Sequence, residues 1–134
     1  MIEELLKTIP DKEQWLATTS HKFKRDVWNF CQDPMFKEMN VIELGTSNGH
    51  STYMLSHLFN QVHTVNNNES TFAKGFNKER DNIIFYNFDL YLSEWQIKSG
   101  DVFFIDADHS YSGVYDDIVN SLKVKSNILD KKIL

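Results

Sequence analysis

Polar residues collect in four short stretches, each directly after an apolar run. The first is VIELGTSNGHST, Val41 to Thr52, where a run carrying Glu43 meets Gly45, Thr46, Ser47 and Gly49. Gly45 permits a tight turn with a φ closed to other residues, and Gly49 is expected to let a ligand approach the backbone. The amides from Thr46 to Ser51 would then face an anionic group at a helix N-terminus. The second stretch, VHTVNNN, reaches Asn66, about 20 residues on, where a ribose-binding acid is expected. The third, NIIFYNFD, ends at Asp89. The fourth, FIDADHSY, sets Asp106, Asp108 and His109 close together. These three offer oxygen and nitrogen ligands suited to Mg²⁺ or Mn²⁺. His109 also has an unperturbed pKa near neutrality, which suits a general base.

Positioning these residues around one cleft requires a parallel sheet, because ligands in such sheets sit beyond the carboxyl ends of the strands. The chain supplies the alternation of elements. Strands are expected at Val41–Leu44, Gln61–Asn66, Asn82–Asp89 and Asp101–Asp108. The last contains four apolar residues in a row, the pattern of a strand covered on both faces. Helices are expected over Ser51–Phe59, over Ser70–Glu79 with a break at Gly75, and after Tyr111 with Tyr111, Val114 or Tyr115, Ile118 and Leu122 on one face. The terminal KKIL reads as the first half of a fifth strand. The fold class is therefore α/β, a parallel sheet of about four to five strands with right-handed crossovers.

Before Val41 the pattern is helical. Ile2, Leu5, Leu6 and Ile9 share a face, and PDKEQW reads as a second helix start. Thr19 or Ser20 caps a helix with Phe23, Val27, Phe30 and Cys31 on its apolar side, stopped by Asp33-Pro34. His21 and the Lys22-Lys24-Arg25 cluster read as a solvated face. His50, His57 and His63 read as surface or sheet residues, Cys31 as core, and Trp15, Trp28 and Trp95 as packing anchors. The chain divides into an N-terminal helical flank, 1–40, and a ligand-binding domain, 41–134.

Composition narrows the classes. At 41% apolar and 13% aromatic the chain can bury a core, so disorder is not expected. A net charge of −5 argues against a long nucleic acid partner, which wants a basic face. No apolar run approaches the roughly 18 residues of a membrane span, and the acidic start MIEELLKTIP does not read as a signal peptide. The single cysteine rules out an intramolecular disulfide framework, and the expected compartment is the cytoplasm.

VIELGTSNGHST resembles the first motif of the class I S-adenosylmethionine-dependent methyltransferases. DVFFIDADHSYSGVYDDI is similar to the fourth-strand motif of their small-molecule O-methyltransferase-like branch, with its macrocin O-methyltransferase and cephalosporin hydroxylase relatives. The resemblance covers roughly Val41 to Ile118 and implies a Rossmann-like fold and S-adenosylmethionine as cofactor. It implies that Gly45, Thr46, Ser47 and Gly49 pass the methionine part of that cofactor. Glu43 would organise the loop, Asn66 would meet the ribose, and Asp89 the adenine amino group. Asp106 would lie beside the transferred methyl group, with Asp106 and Asp108 as metal ligands in a metal-dependent member. Asp106 and His109 are the catalytic candidates, for O-methylation of a small molecule.

Two departures stand out. Asn66 is neutral where the family has an acid, which weakens the charge assistance to ribose. The family sheet also has more strands than this chain supplies, so the chain reads as C-terminally truncated, with an apolar sheet edge open to self-association. The rival readings are a non-catalytic S-adenosylmethionine-binding module or half of a split enzyme. A dinucleotide oxidoreductase is disfavoured, since the loop lacks G-x-G-x-x-G.

Overall fold

The computed structural model describes residues 1–14, 18–90, 95–97, 99–106, 111–123 and 132–133. Its five strands are β1 (Asn40–Leu44), β2 (Gln61–Asn66), β3 (Ile83–Asn87), β4 (Val102–Ile105) and β5 (Lys132–Ile133). They form one parallel sheet in the order β3-β2-β1-β4-β5. The chain moves outward from β1 through β2 to β3, then returns to the other side of β1 for β4. The reversal between β1 and β4 is the topological switch point, where open α/β sheets hold ligands. β5 pairs with β4 from Val102↔Lys132 to Phe103↔Ile133.

Strand alternation builds two cores. Val41, Val62, Val102 and Phe104 point to one face, and Ile42, Leu44, Val65 and Phe103 to the other. The first face is covered by α1 (Ile2–Leu6), α2 (His21–Phe30), the 3-10 turn Pro34–Glu38 and α3 (His50–Leu58). The helices preceding β1 thus share a core with the sheet through Leu5, Trp28, Cys31, Phe36 and Met39. The second face is covered by Phe88, Leu90, Trp95 and Ile97, with the Trp95 Nε1–H donating to the Leu90 carbonyl at 3.1 Å. The apolar run of β4 is buried on both sides, as its composition requires.

Several local expectations are corrected. Residues 12–14 form a turn, so the described part of PDKEQW holds no helix. α2 begins as expected, with the Ser20 hydroxyl accepting from the Phe23 amide at 3.1 Å. Its inward face, however, carries Lys24 and Trp28, while Phe23 and Phe30 are exposed. α2 ends at Phe30, and Asp33 instead caps the following 3-10 turn through the Met35 amide. α4 (Thr71–Phe76) runs through Gly75 without a break. In α5 (Tyr111–Lys123), Tyr115 is exposed and Asp117 and Ser121 are buried. Cys31 is core, and burial pushes its thiol up to about 11. Trp28 and Trp95 are packing anchors, while Trp15 lies outside the described residues. Among the described residues no helix is long and apolar enough to cross a membrane.

Candidate functional site

The turn after β1 is built from left-handed residues. Gly45 has φ 102°, Ser47 has φ 48° and Gly49 has φ 80°. Such values suit glycine and are uncommon for serine. The turn is pinned to β2, since the Gly45 and Thr46 amides both donate to the Val65 carbonyl, at 2.9 and 3.0 Å. The Gly49 amide then donates to the Thr46 carbonyl at 2.9 Å, closing the loop at the start of α3.

Gly49 packs closely against α4. A Cβ there would lie 2.8 Å from the Ala73 Cβ and 2.7 Å from the Asn77 Nδ2. Its missing side chain makes room for α4, and Asn77 ties the two helices by donating to the Gly49 carbonyl at 3.0 Å. The close approach is therefore helix against helix.

A small polar cleft opens beside this turn. Gly45, Thr46 and Ser47 line it from the turn, and His50 and Ser51 from the first residues of α3. Asp106 closes it from the end of β4, where its amide donates to the Leu44 carbonyl at 2.9 Å. Thr18 and Thr19 close it from the N-terminal segment. Four of the expected site residues (Gly45, Thr46, Ser47 and Asp106) therefore meet at the switch point. Asn66 is half-buried at the end of β2, and Asp89 is exposed two residues beyond β3. Both stand at carboxyl ends of their strands, outside the lining of this cleft. Asp108 and His109 lie outside the described residues.

Glu43 sits beneath the turn, 1% exposed. It faces α3 because the alternation of β1 puts it on the same side as Val41 and opposite Thr64 in the register. Its Oε1 accepts from the Thr52 hydroxyl and, at 2.7 Å, from the Thr64 hydroxyl. Thr64 also lies 2.7 Å from the Thr46 hydroxyl, which links the buried acid to the loop. Burial pushes the Glu43 carboxyl up to about 7, with the nearby Asp106 adding to the rise and the two hydroxyls and Lys24 opposing it.

Two residues read as bystanders in the sequence, Lys24 and His50, belong to this site, and a third, His21, is held nearby in the N-terminal segment. Lys24 is wholly buried instead of solvated. Its Nζ donates to the Thr18 hydroxyl at 3.1 Å, the Thr19 hydroxyl at 2.7 Å and the Thr19 carbonyl at 2.6 Å. Burial pulls the ammonium down to about 8, against the attraction of Asp11, Asp106 and Glu43. His50 is buried at the cleft, its Nδ1 3.1 Å from the Thr18 hydroxyl and its ring 4.9 Å from that of Phe76. Burial and the Lys24 charge pull its pKa down to about 4. His21 is half-buried, with Nε2 2.6 Å from the Ile9 carbonyl and Nδ1 3.6 Å from Asp11. The available signal was the coincidence of Lys24 with Trp28 and Cys31 at helical spacing, a face that competes with the one through Phe23 and Phe30. His57 and His63 are spent locally, on the Tyr53 carbonyl at 2.9 Å and the Tyr86 hydroxyl at 3.0 Å.

The chemistry on offer is that of a polar cleft with an acid in its lining and a buried cation behind its threonines. Among the described residues no three His, Cys, Asp or Glu side chains converge to hold a metal, and Asp108, the other expected ligand, lies outside them.

Comparison with known proteins agrees with this geometry. Residues 42–127 match the model of a family described as a methyltransferase domain. No curated protein matches the chain. Among solved structures, the chain is similar to phosphoethanolamine N-methyltransferase 1 of Haemonchus contortus, solved with phosphoethanolamine and S-adenosylhomocysteine. That pair shares 17% identity at a TM-score of 0.64, over 93% of this chain and 28% of that one. The YcgJ protein of Bacillus subtilis shares 18% identity at a TM-score of 0.66, over 79% of this chain and 47% of that one. The tRNA methyltransferase TrmI of Aquifex aeolicus shares 21% at 0.63, over 87% and 49% respectively. The chain thus spans less than half the length of each of these three proteins. These likenesses establish the Rossmann-like fold of the class I methyltransferases. The family match runs from β1 through β4 and so takes in the loop and strand ends that build the cleft; the chain belongs to the methyltransferase domain family.

Proposed function

We propose that this chain binds S-adenosylmethionine at the switch point and serves methyl transfer to a small-molecule hydroxyl. The observation that carries the reading is the meeting of the Gly45–Ser47 turn with Asp106 in one cleft between β1 and β4. The donor set suits the cofactor: hydroxyls and an acid line the cleft for its amino-acid end, and Asn66 and Asp89 stand at the neighbouring strand ends for ribose and adenine. Residues 41–134 are assigned to cofactor binding, and residues 1–40 to a flank that supplies Thr18 and Thr19 to the cleft.

When bound, S-adenosylmethionine supplies a methyl group on a sulfonium sulfur, ready for displacement by an acceptor oxygen. The chain's contribution is placement and proton removal. Gly45, Thr46 and Ser47 hold the methionine portion in a turn braced from below by Glu43 and Thr64. Gly49 keeps that turn seated against α4. Asp106, in the same cleft, is assigned a place beside both the cofactor's amino group and its sulfonium methyl. His109, adjoining it in the sequence, is assigned as the base that takes the acceptor's hydroxyl proton. The FIDADHSY motif and the net charge of −5 support a small acceptor over a nucleic acid.

Calorimetry with S-adenosylmethionine, S-adenosylhomocysteine and NAD tests the cofactor, and turnover on catechols, sugars and small phenols tests the acceptor. Binding of the two adenosyl compounds, with NAD rejected, is the expected result. Asp89→Ala should weaken that binding by roughly 1.5–3 kcal/mol, the scale of a charge-assisted hydrogen bond. NAD binding in place of the adenosyl compounds would sink the cofactor reading. Binding without turnover on any acceptor would leave a non-catalytic binding module.

A further inference from the structure

The proposed chemistry leaves Lys24 unused, although a wholly buried lysine on a helix outside the sheet is an expensive feature. Its ammonium has three protons and no acceptor, and all three donate to Thr18 and Thr19. Both threonine hydroxyls must therefore accept from Lys24, which leaves each with one proton to aim elsewhere. The Thr18 proton meets the Nδ1 of His50 at 3.1 Å, which sets that neutral ring with its proton on Nε2. The Thr19 hydroxyl lies 3.3 Å from the Ser51 hydroxyl. All four partners line the cleft. Their hydroxyl dipoles thus turn positive ends away from Lys24, with a full positive charge behind them and no water between.

The same cleft is lined by an acid, Asp106. The cleft therefore has an acid in its lining and a buried cation behind its threonines. A zwitterion is the ligand that uses both at once, its ammonium toward the acid and its carboxylate toward the threonines. Resting on the reading that the cofactor is S-adenosylmethionine, we propose that Lys24, acting through the Thr19 and Ser51 hydroxyls, is the positioning residue for the carboxylate of the cofactor's amino-acid end. α2 then contributes to cofactor recognition although it precedes the first strand.

The test compares S-adenosylmethionine with its decarboxylated analogue, which keeps the sulfonium and the ammonium and lacks only the carboxylate. The wild-type chain should bind S-adenosylmethionine the more tightly. Lys24→Met keeps the unbranched apolar stem and removes the charged end; Thr19→Val keeps shape and removes the hydroxyl that conveys it. Each should lower affinity for S-adenosylmethionine about ten- to hundredfold, the scale of one charge contact near a protein surface, and leave the decarboxylated analogue within about twofold. Equal losses for both ligands, or no preference in the wild type, would overturn the assignment of Lys24 and leave the cofactor reading standing. A wild-type chain that binds neither ligand would overturn the cofactor reading and this inference with it. Should Lys24→Met fail to fold, Thr19→Val decides by the same two outcomes.

Discussion

Glu43 offers a quantitative check on the buried centre of the site. Its carboxyl is raised from 4.5 to about 7, chiefly by burial. Between those values the folded chain holds a proton that the unfolded chain has released. The associated stability is fully present below about pH 4.5 and is lost as pH rises through about 7. A rise of that size, at about 1.4 kcal/mol per pH unit, corresponds to roughly 3 kcal/mol. Glu43→Gln removes the titration and keeps an amide oxygen to accept from Thr52 and Thr64. His50 pulls the other way. Its pKa is lowered from 6.5 to about 4, so its contribution grows as pH rises across that interval. The wild-type curve alone therefore mixes two opposed slopes, and the difference between wild type and variant isolates Glu43. Lys24 titrates in the fold only near 8, at the upper edge of the window. Urea unfolding of both proteins at intervals from pH 5 to pH 8 should show the variant gaining on the wild type by about 2–3 kcal/mol across the series. Parallel curves, with a constant gap, would mean that Glu43 ionises normally in the fold and that its enclosure by α3, β2 and Lys24 is wrong.

Two further substitutions probe the loop. Gly49→Ala forces a side chain into a left-handed position and against Ala73 and Asn77, so chemical denaturation should show a loss of about 2–4 kcal/mol; a neutral outcome would contradict the close packing of α3 on α4. Asn66→Asp restores an acid at the end of β2 and should hold or improve affinity for S-adenosylmethionine by calorimetry, whereas a clear loss would mean that the ribose is held elsewhere.

The sheet and the mouth of the cleft were readable because their signals are local. A run such as VFFI has no solvated solution as a strand, and it is buried on both faces in β4. Gly45 precedes a helix and follows a strand, so its left-handed turn follows from neighbours in sequence. β2 matches its expected span, and the remaining strands fall within a few residues of theirs, because turn residues bound each one. What packs against each element was a different question. α2 could have buried its phenylalanines; it buried Lys24 and Trp28 because Thr18 and Thr19, brought to the rim of β1 and β4, offered acceptors for the ammonium. That Gly49 also makes room for α4 was not legible, because only the crossing of two helices distant in sequence decides it. His50 became a cleft residue for the same reason, since its partner Thr18 is 32 residues away. Period and turn chemistry act over a few residues and are written in order along the chain. The partners of a buried charge come from segments that meet only in the folded state, and there the hydrogen-bond demand of the charge selects the face that packs inward.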